Sequence, residues 1–189
     1  MPKLLLIDNH DSFTYNLVEL LRQLNITPDV QPTHNIDLDK VDSYSHILLS
    51  PGADLPACYP NNFAVLQRYY PHKSILGVCL GLQTLAQFFG ATLYNLADVR
   101  HGQRAVLTHD DEFALFKNLP SSFGVGLYHS WAVSQELPCE LIAHAHDETG
   151  VVMAMQHCSL PIYGVQFHPE SYISEYGQAI LSNWLGVRA

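Results

Sequence analysis

A cysteine between two glycines, Gly77-Val78-Cys79-Leu80-Gly81, stands where an apolar run ends and a helical pattern begins. Such a sequence suits a nucleophile held on a sharp strand-to-helix turn. The glycines leave room where strand and helix cross, and the turn lifts the sulfur above the sheet. It also sets the sulfur at a helix N-terminus, where the dipole favours a thiolate. The plainer reading is a buried cysteine in a tight turn. A thiolate nucleophile needs a histidine base, and the histidine needs an acceptor to orient it. Of eleven histidines, His168 is singled out by Phe167-His168-Pro169-Glu170, which directly follows the apolar run Ile162 to Phe167. Residues two apart in extended chain point to one side. Glu170 can then accept from one ring nitrogen and leave the other facing the thiol. Taken alone, a His and a Glu on a solvated strand end would be the simpler account. Ser50-Pro51-Gly52 closes another apolar run. Glycine lets backbone approach a ligand, so the Gly52 amide, with that of Leu80, is a candidate oxyanion hole. An isolated Pro-Gly is otherwise just a turn.

The elements that must position these groups follow from hydrophobic pattern. Lys3 to Asp8, His46 to Leu49 and Ser74 to Val78 read as buried parallel strands, with Asp29 to Gln31 as a shorter one. Between them, Leu17, Leu20, Leu21 and Leu24 repeat as one helical face, with Asp11 and Ser12 available as its caps. Asn61 and Asn62 can cap a second helix running to about Tyr70, and Leu80 to Phe89 forms a third closed by Gly90. Strands alternating with helices specify a parallel sheet covered on its faces, with ligands at the carboxyl ends of the strands, where Gly52 and Cys79 fall. The second half changes character. Ala105 to Thr108, Val125 to Tyr128, Leu141 to Ala145, Val151 to Gln156 and Ile162 to Phe167 are short strands separated by turn residues, as in an antiparallel sheet, before a last helix from about Glu175 to Leu185. The expected fold is a single α/β domain over 1–189: an open, mixed, mainly parallel sheet flanked by helices, with a smaller antiparallel sheet in the second half.

Composition bounds the function classes. The chain has 189 residues and is 48% hydrophobic, enough to bury a full core, and its net charge of -9 argues against nucleic acid or an anionic membrane as partner. No apolar stretch approaches the ~18 residues of a membrane span. The opening Met1-Pro2-Lys3-Leu4 turns acidic too soon for a signal peptide, so a cytoplasmic protein is expected. The four cysteines, Cys58, Cys79, Cys139 and Cys158, show no CxxC spacing. All are expected as free thiols, with the three besides Cys79 buried or half-buried. Only 14% of residues are charged, against a usual ~25%. That fits either a face covered by another protein or a surface of uncharged polar residues.

Together, Gly77-Val78-Cys79-Leu80-Gly81-Leu82-Gln83 and Gly164-Val165-Gln166-Phe167-His168-Pro169-Glu170 resemble the class I (triad) glutamine amidotransferases over nearly the whole chain. The resemblance implies hydrolysis of the side-chain amide of L-glutamine through a Cys79 thioester, with His168 and Glu170 completing a triad and ammonia released. It implies an oxyanion hole at Gly52 and Leu80, a substrate-holding Gln83, and backbone at Ser130 and Trp131 binding the amino-acid end of glutamine. Tyr128-His129-Ser130-Trp131 is similar to the family's Tyr-His-Ser segment. Ile7-Asp8-Asn9-His10-Asp11-Ser12-Phe13-Thr14-Tyr15-Asn16-Leu17, with His101-Gly102, is similar to a narrower group, the glutaminase components of anthranilate synthase and 4-amino-4-deoxychorismate synthase. That likeness implies a separate chorismate-binding synthase chain that takes up the ammonia, and no cofactor, metal site or chorismate site in this chain. Four positions depart from the family pattern: Asp54 where a second loop glycine is usual, Leu82 for His, Trp131 for Leu, and Ala57 for an acidic residue after Pro56. Two rival classes are a hydrolase of glutamyl conjugates on the same scaffold and a non-catalytic, partner-stabilising subunit.

Overall fold

The computed structural model describes residues 2–187. These form nine strands: β1 (Leu4–Asn9), β2 (Asp29–Pro32), β3 (His46–Gly52), β4 (Ser74–Val78), β5 (Leu93–His109), β6 (Ser122–Val133), β7 (Leu141–Asp147), β8 (Val152–His157) and β9 (Ile162–Val165). The helices are α1 (Thr14–Gln23), the short α2 (Leu38–Val41), α3 (Pro60–Tyr69), α4 (Leu80–Phe88) and α5 (Gly177–Leu185). All nine strands join one sheet in the order β2-β1-β3-β4-β9-β8-β7-β5-β6. Strands β2, β1, β3, β4 and β9 run parallel, and β8, β7, β5 and β6 continue antiparallel. The antiparallel strands expected in the second half are thus present, hydrogen-bonded into the parallel sheet instead of standing apart.

Alternation along the strands sorts the core into two layers. Leu4, Leu6, Leu48, Leu76 and Val78 face α1 and α5, where Leu17, Leu21, Ile180 and Leu181 are buried. Leu5, Ile7, Ile47, Leu49 and Ile75 face α3 and α4, where Val65, Leu66, Leu82 and Leu85 are buried. Continuous apolar strands are what a sheet covered on both faces requires.

Several boundaries move for identifiable reasons. Helix α1 begins at Thr14 without a side-chain cap; the Asp11 carboxylate instead accepts from the Phe13 amide in the turn before it. Asn61 and Asn62 lie inside the first turn of α3 and bond to the Thr33 carbonyl and the Asn9 side chain, leaving Tyr59 at the cap position. The last parallel strand stops at Val165, so Gln166 and Phe167 already belong to the segment that carries His168. Strand β5 is much longer than its apolar part, because residues 93–95 and again those from Arg100 pair with β6 on a largely exposed ribbon, with residues 96–99 bulging out between them and only Leu93 and Leu96 of this part packed against the core. Cys58, Cys139 and Cys158 are free as expected but exposed, correcting the expectation that they are buried or half-buried.

The crossing of β4 with α4 tolerates no side chain at its two glycines. A Cβ on Gly77 would strike the Gly81 backbone, and one on Gly81 would strike the Leu49 carbonyl of β3. Replacing Gly81 by Ala is expected to lower stability by roughly 1–3 kcal/mol, the usual cost of forcing backbone shifts in a packed core. Urea unfolding of the two proteins checks this, and a Gly81→Ala chain as stable as the parent contradicts it.

Candidate active site

Cys79 lies between β4 and α4 with φ 52 and ψ −104, a backbone conformation that costs energy for any residue with a side chain. The turn is held from outside: the Cys79 amide donates to the Val165 carbonyl of β9 at 2.8 Å. Leu80 is the first helical residue, so its N–H has no carbonyl within the helix. Gly52, at the end of β3, sits against it; a Cβ on Gly52 would come within 2.5 Å of Leu80 Cδ2 and 2.8 Å of Asn9 Cβ.

His168 and Glu170 follow β9, the strand beside β4, and so arrive next to Cys79. Nδ1 of His168 is 2.7 Å from Oε1 of Glu170, and both side chains are buried. The acceptor fixes Nδ1 as the protonated nitrogen and turns Nε2 away from the carboxylate. Among the described residues Nε2 has no hydrogen-bond partner, yet the ring is close enough to the sulfur for its charge to act. Burial would push the His168 pKa down. The charge and hydrogen-bonding of Cys79, with the Glu170 carboxylate, outweigh burial and hold it well above the usual 6.5. The backbone is pinned too: His168 N–H donates to Gly126 O at 3.1 Å, and Ser174 Oγ donates to His168 O at 2.5 Å.

Cys79 opens onto a cleft of about 180 Å³ with Gly52, Asp54 and Gln83 on one side. Arg100 and His101 of β5 and Tyr128 to Trp131 of β6 form the other. Its size lies below the roughly 300 Å³ at which pockets for drug-sized ligands begin, and suits a small metabolite. Of the site residues expected from the sequence, Cys79, Gly52, Gln83, Ser130 and Trp131 line this cleft, whereas Leu80 lies buried against Gly52 and the buried His168–Glu170 pair is not part of its lining. Gln83 is buried, and its Nε2 donates to the Trp131 carbonyl at 2.9 Å and to Gln166 Oε1 at 3.1 Å. His129 Nδ1 shares the Trp131 carbonyl at 2.9 Å, and burial pushes the His129 pKa down to about 4, leaving it neutral. Leu82, one of the four departures, points into the core against Gly164.

Asp54 has φ 62, the left-handed conformation that a second loop glycine would adopt without strain. Among the described residues no three His, Cys, Asp or Glu are grouped to hold a metal ion.

Some residues around the site escaped sequence reasoning. Phe13 and Tyr128 pack edge-on to the His168 ring, with centroids 5.3 and 5.0 Å away. Asn9 fastens the Gly52 loop: its amide donates to Ser50 Oγ at 2.8 Å and its Nδ2 to Ser50 O at 2.9 Å. Gln166 lies wholly buried with Nε2 3.5 Å from the Cys79 sulfur. Asn9, Phe13 and Gln166 all stand inside the motifs quoted above, which was the available signal, but nothing in residue type alone assigned them a task.

A family model described as Glutamine amidotransferase class-I matches residues 5–186. A Haemophilus influenzae protein provisionally named anthranilate synthase component II is 56% identical over 186 residues, covering 98% of this chain and 96% of that one. The Bacillus subtilis aminodeoxychorismate/anthranilate synthase component 2 is 35% identical over 185 residues, covering 96% of this chain and 95% of its own. Among solved structures, a Thermoplasma acidophilum protein provisionally named as one of the subunits of GMP synthase superposes with a TM-score of 0.89 at 27% identity, covering 98% of this chain and 93% of that one.

The charge pairing at the cleft floor gives a measurable sign. Removing the sulfur in Cys79→Ala deletes a negative neighbour of His168, so the His168 titration midpoint, followed by NMR, is expected to fall; a midpoint that stays put would separate the two groups. At the rim, Asp54→Gly relieves the left-handed backbone and is expected to preserve or raise glutamine affinity in calorimetry. A large loss would show that the carboxylate itself holds the substrate amine.

Proposed function

This chain belongs to the class I glutamine amidotransferases, and within that family we propose that it is the glutaminase subunit of a chorismate-using synthase of the anthranilate or aminodeoxychorismate type. The observation that carries the reading is the strained Cys79 at the β4–α4 turn with the buried His168–Glu170 pair beside it. The names of the relatives supply the synthase context.

In this reading the Cys79 thiolate attacks the side-chain amide carbon of glutamine. The carbonyl electrons move to oxygen, and the oxyanion is met by the Leu80 and Gly52 amides. His168 gives its proton to the amide nitrogen, the C–N bond breaks and ammonia leaves. The neutral imidazole then takes a proton from water, which attacks the thioester; the S–C bond breaks, glutamate departs and the thiolate returns. Glu170 keeps the ring oriented throughout and does not itself take a proton. Gln83 and the Ser130–Trp131 backbone hold the amino-acid end of the substrate.

Ammonia released into water at neutral pH is mostly protonated and lost as a nucleophile, so such a site belongs under a partner. The cleft opens at the carboxyl ends of the strands. Val99, 63% exposed, lines it, and Tyr15, 67% exposed, and Tyr172, 93% exposed, follow β1 and Glu170 in the chain; exposed apolar surface of this kind marks interaction sites. The synthase chain is read as covering this face. Among the described residues no helix is long and apolar enough to cross a membrane, and the protein is read as cytoplasmic.

Cys79→Ala is expected to abolish glutamine-dependent synthesis while leaving ammonia-dependent synthesis in the assembled complex, because the second chemistry lies in the other chain. His168→Ala should be nearly as damaging, and Glu170→Ala milder by roughly 10–100-fold. Glutaminase turnover of the isolated chain should be weak and rise with synthase and chorismate, since displacing a catalytic group by about 1 Å can cost ~100-fold. Glutamate release, followed with and without each synthase, measures the glutaminase effects, and formation of the aminated product from added ammonia measures the synthesis that Cys79→Ala should retain. Full turnover alone, indifferent to both partners, would favour a free-standing amidohydrolase.

A further inference from the structure

Gln166 is buried with 0% of its surface exposed, lies two residues before the base and has no part in the mechanism above. Its amide completes a chain of hydrogen bonds whose direction is fixed at one end. The Trp131 carbonyl can only accept, so the Gln83 group facing it at 2.9 Å must be the NH2. The same Gln83 nitrogen is 3.1 Å from Gln166, which must then present its oxygen. That leaves the Gln166 NH2 pointing at Cys79 Sγ, 3.5 Å away. Turning Gln166 over would set two donors against each other, and turning both amides would set the Gln83 oxygen against the Trp131 oxygen. The amides are therefore locked by a backbone carbonyl, and the group offered to sulfur is a donor.

We propose that Gln166 is a further catalytic residue, donating a hydrogen bond to the Cys79 thiolate and tying it through Gln83 to the Trp131 backbone.

The inference rests on the glutaminase reading and deepens it at the reacting atom. A donor aimed at sulfur favours its anionic form over the neutral one. When the thioester forms, the sulfur lone pair enters the S–C bond and the donor loses most of its partner. When the thioester is hydrolysed, the electron pair returns to sulfur and the donor meets it, which eases departure of the thiolate. The other end of the chain touches the segment read as binding the amino-acid end of glutamine, so a substrate that shifts Trp131 also shifts the amide on the sulfur.

The test uses the full chain and two variants. Gln166→Met removes the donor without adding charge. Gln166→Glu keeps the oxygen that Gln83 needs and removes only the donor, at the cost of an added charge. Alkylation of Cys79 by iodoacetamide is followed against pH, with the Cys79 peptide read by mass because Cys58, Cys139 and Cys158 are exposed and also react. The charged and titratable groups around the sulfur are Asp54 after β3, Arg100 and His101 of β5, His129 of β6, and His168 and Glu170 after β9; they are unchanged in Gln166→Met, while Gln166→Glu adds its own carboxyl to them. The half-maximal pH is expected to rise by about one unit in Gln166→Met and by more in Gln166→Glu. Glutaminase kcat should fall about 10-fold with KM within about twofold. A folded Gln166→Met chain with the parental pH profile and kcat overturns the proposal. If only Gln166→Glu folds, an unmoved or lowered half-maximal pH overturns it. Alkylation needs no glutamine: a shifted profile in a chain whose parent hydrolyses none, alone or with either synthase and chorismate, would sink the glutaminase reading and leave Gln166 standing.

Discussion

The structure depends on one backbone bond, the Cys79 amide on the Val165 carbonyl. A left-handed cysteine at the end of a strand is costly by itself and survives only when its surroundings over-determine it. Here β9 does so from the side, pairing with β4 from Ile75 to Val78 and then supplying the carbonyl that catches the turn. The same strand runs on into Gln166, His168 and Glu170. A single pairing register therefore fixes the strained Cys79 and brings Gln166, His168 and Glu170 to it, although they are distant in sequence. A slip of one residue would turn those side chains to the opposite face.

Burial decides what the constellation can do once assembled. Taking an imidazolium out of water is unfavourable unless opposite charge is in contact. Glu170 at 2.7 Å and the nearby sulfur provide it, and the net effect on His168 is upward despite burial. Phe13 and Tyr128 close the sides of the ring and exclude water, so the charges act through a medium of low dielectric. His129 shows the opposite outcome in the same cleft. It has a carbonyl for a partner and no carboxylate in contact, and burial keeps it neutral.

The parallel half of the fold was legible because its strands are covered on both faces and read as unbroken apolar runs; Ser74 to Val78 came out at its observed limits. The turn at Cys79 was legible because only glycine fits at Gly77 and Gly81. The first part of β5 was not, since its pairing with β6 is interrupted by a bulge at residues 96–99 and its mostly exposed side chains show no continuous apolar alternation to betray a strand. The caps proposed at Asp11, Asn61 and Asn62 failed for a related reason. Short polar side chains there were drawn to tertiary partners or to a preceding turn, and local pattern does not reveal such competition. The meeting of Gln83 with Gln166 is likewise a product of sheet order, which places the end of β9 beside the start of α4.

The opening segment divides by the direction of its side chains. Asn9 secures the Ser50 loop, Asp8 accepts from Thr14 Oγ1 at 2.8 Å, and Phe13 walls the imidazole. These inward residues serve a glutamine site of any kind and say nothing about a partner. Tyr15, in the same run, is 67% exposed, and Tyr172, two residues past Glu170, is 93% exposed. Large aromatic rings left in water do nothing to lower the energy of the fold, and exposed apolar surface of this kind is what interaction sites are made of. Within the opening segment, then, the inward residues order the Gly52 loop and the His168 ring, and packing of the fold accounts for them, whereas it leaves outward Tyr15 unaccounted for.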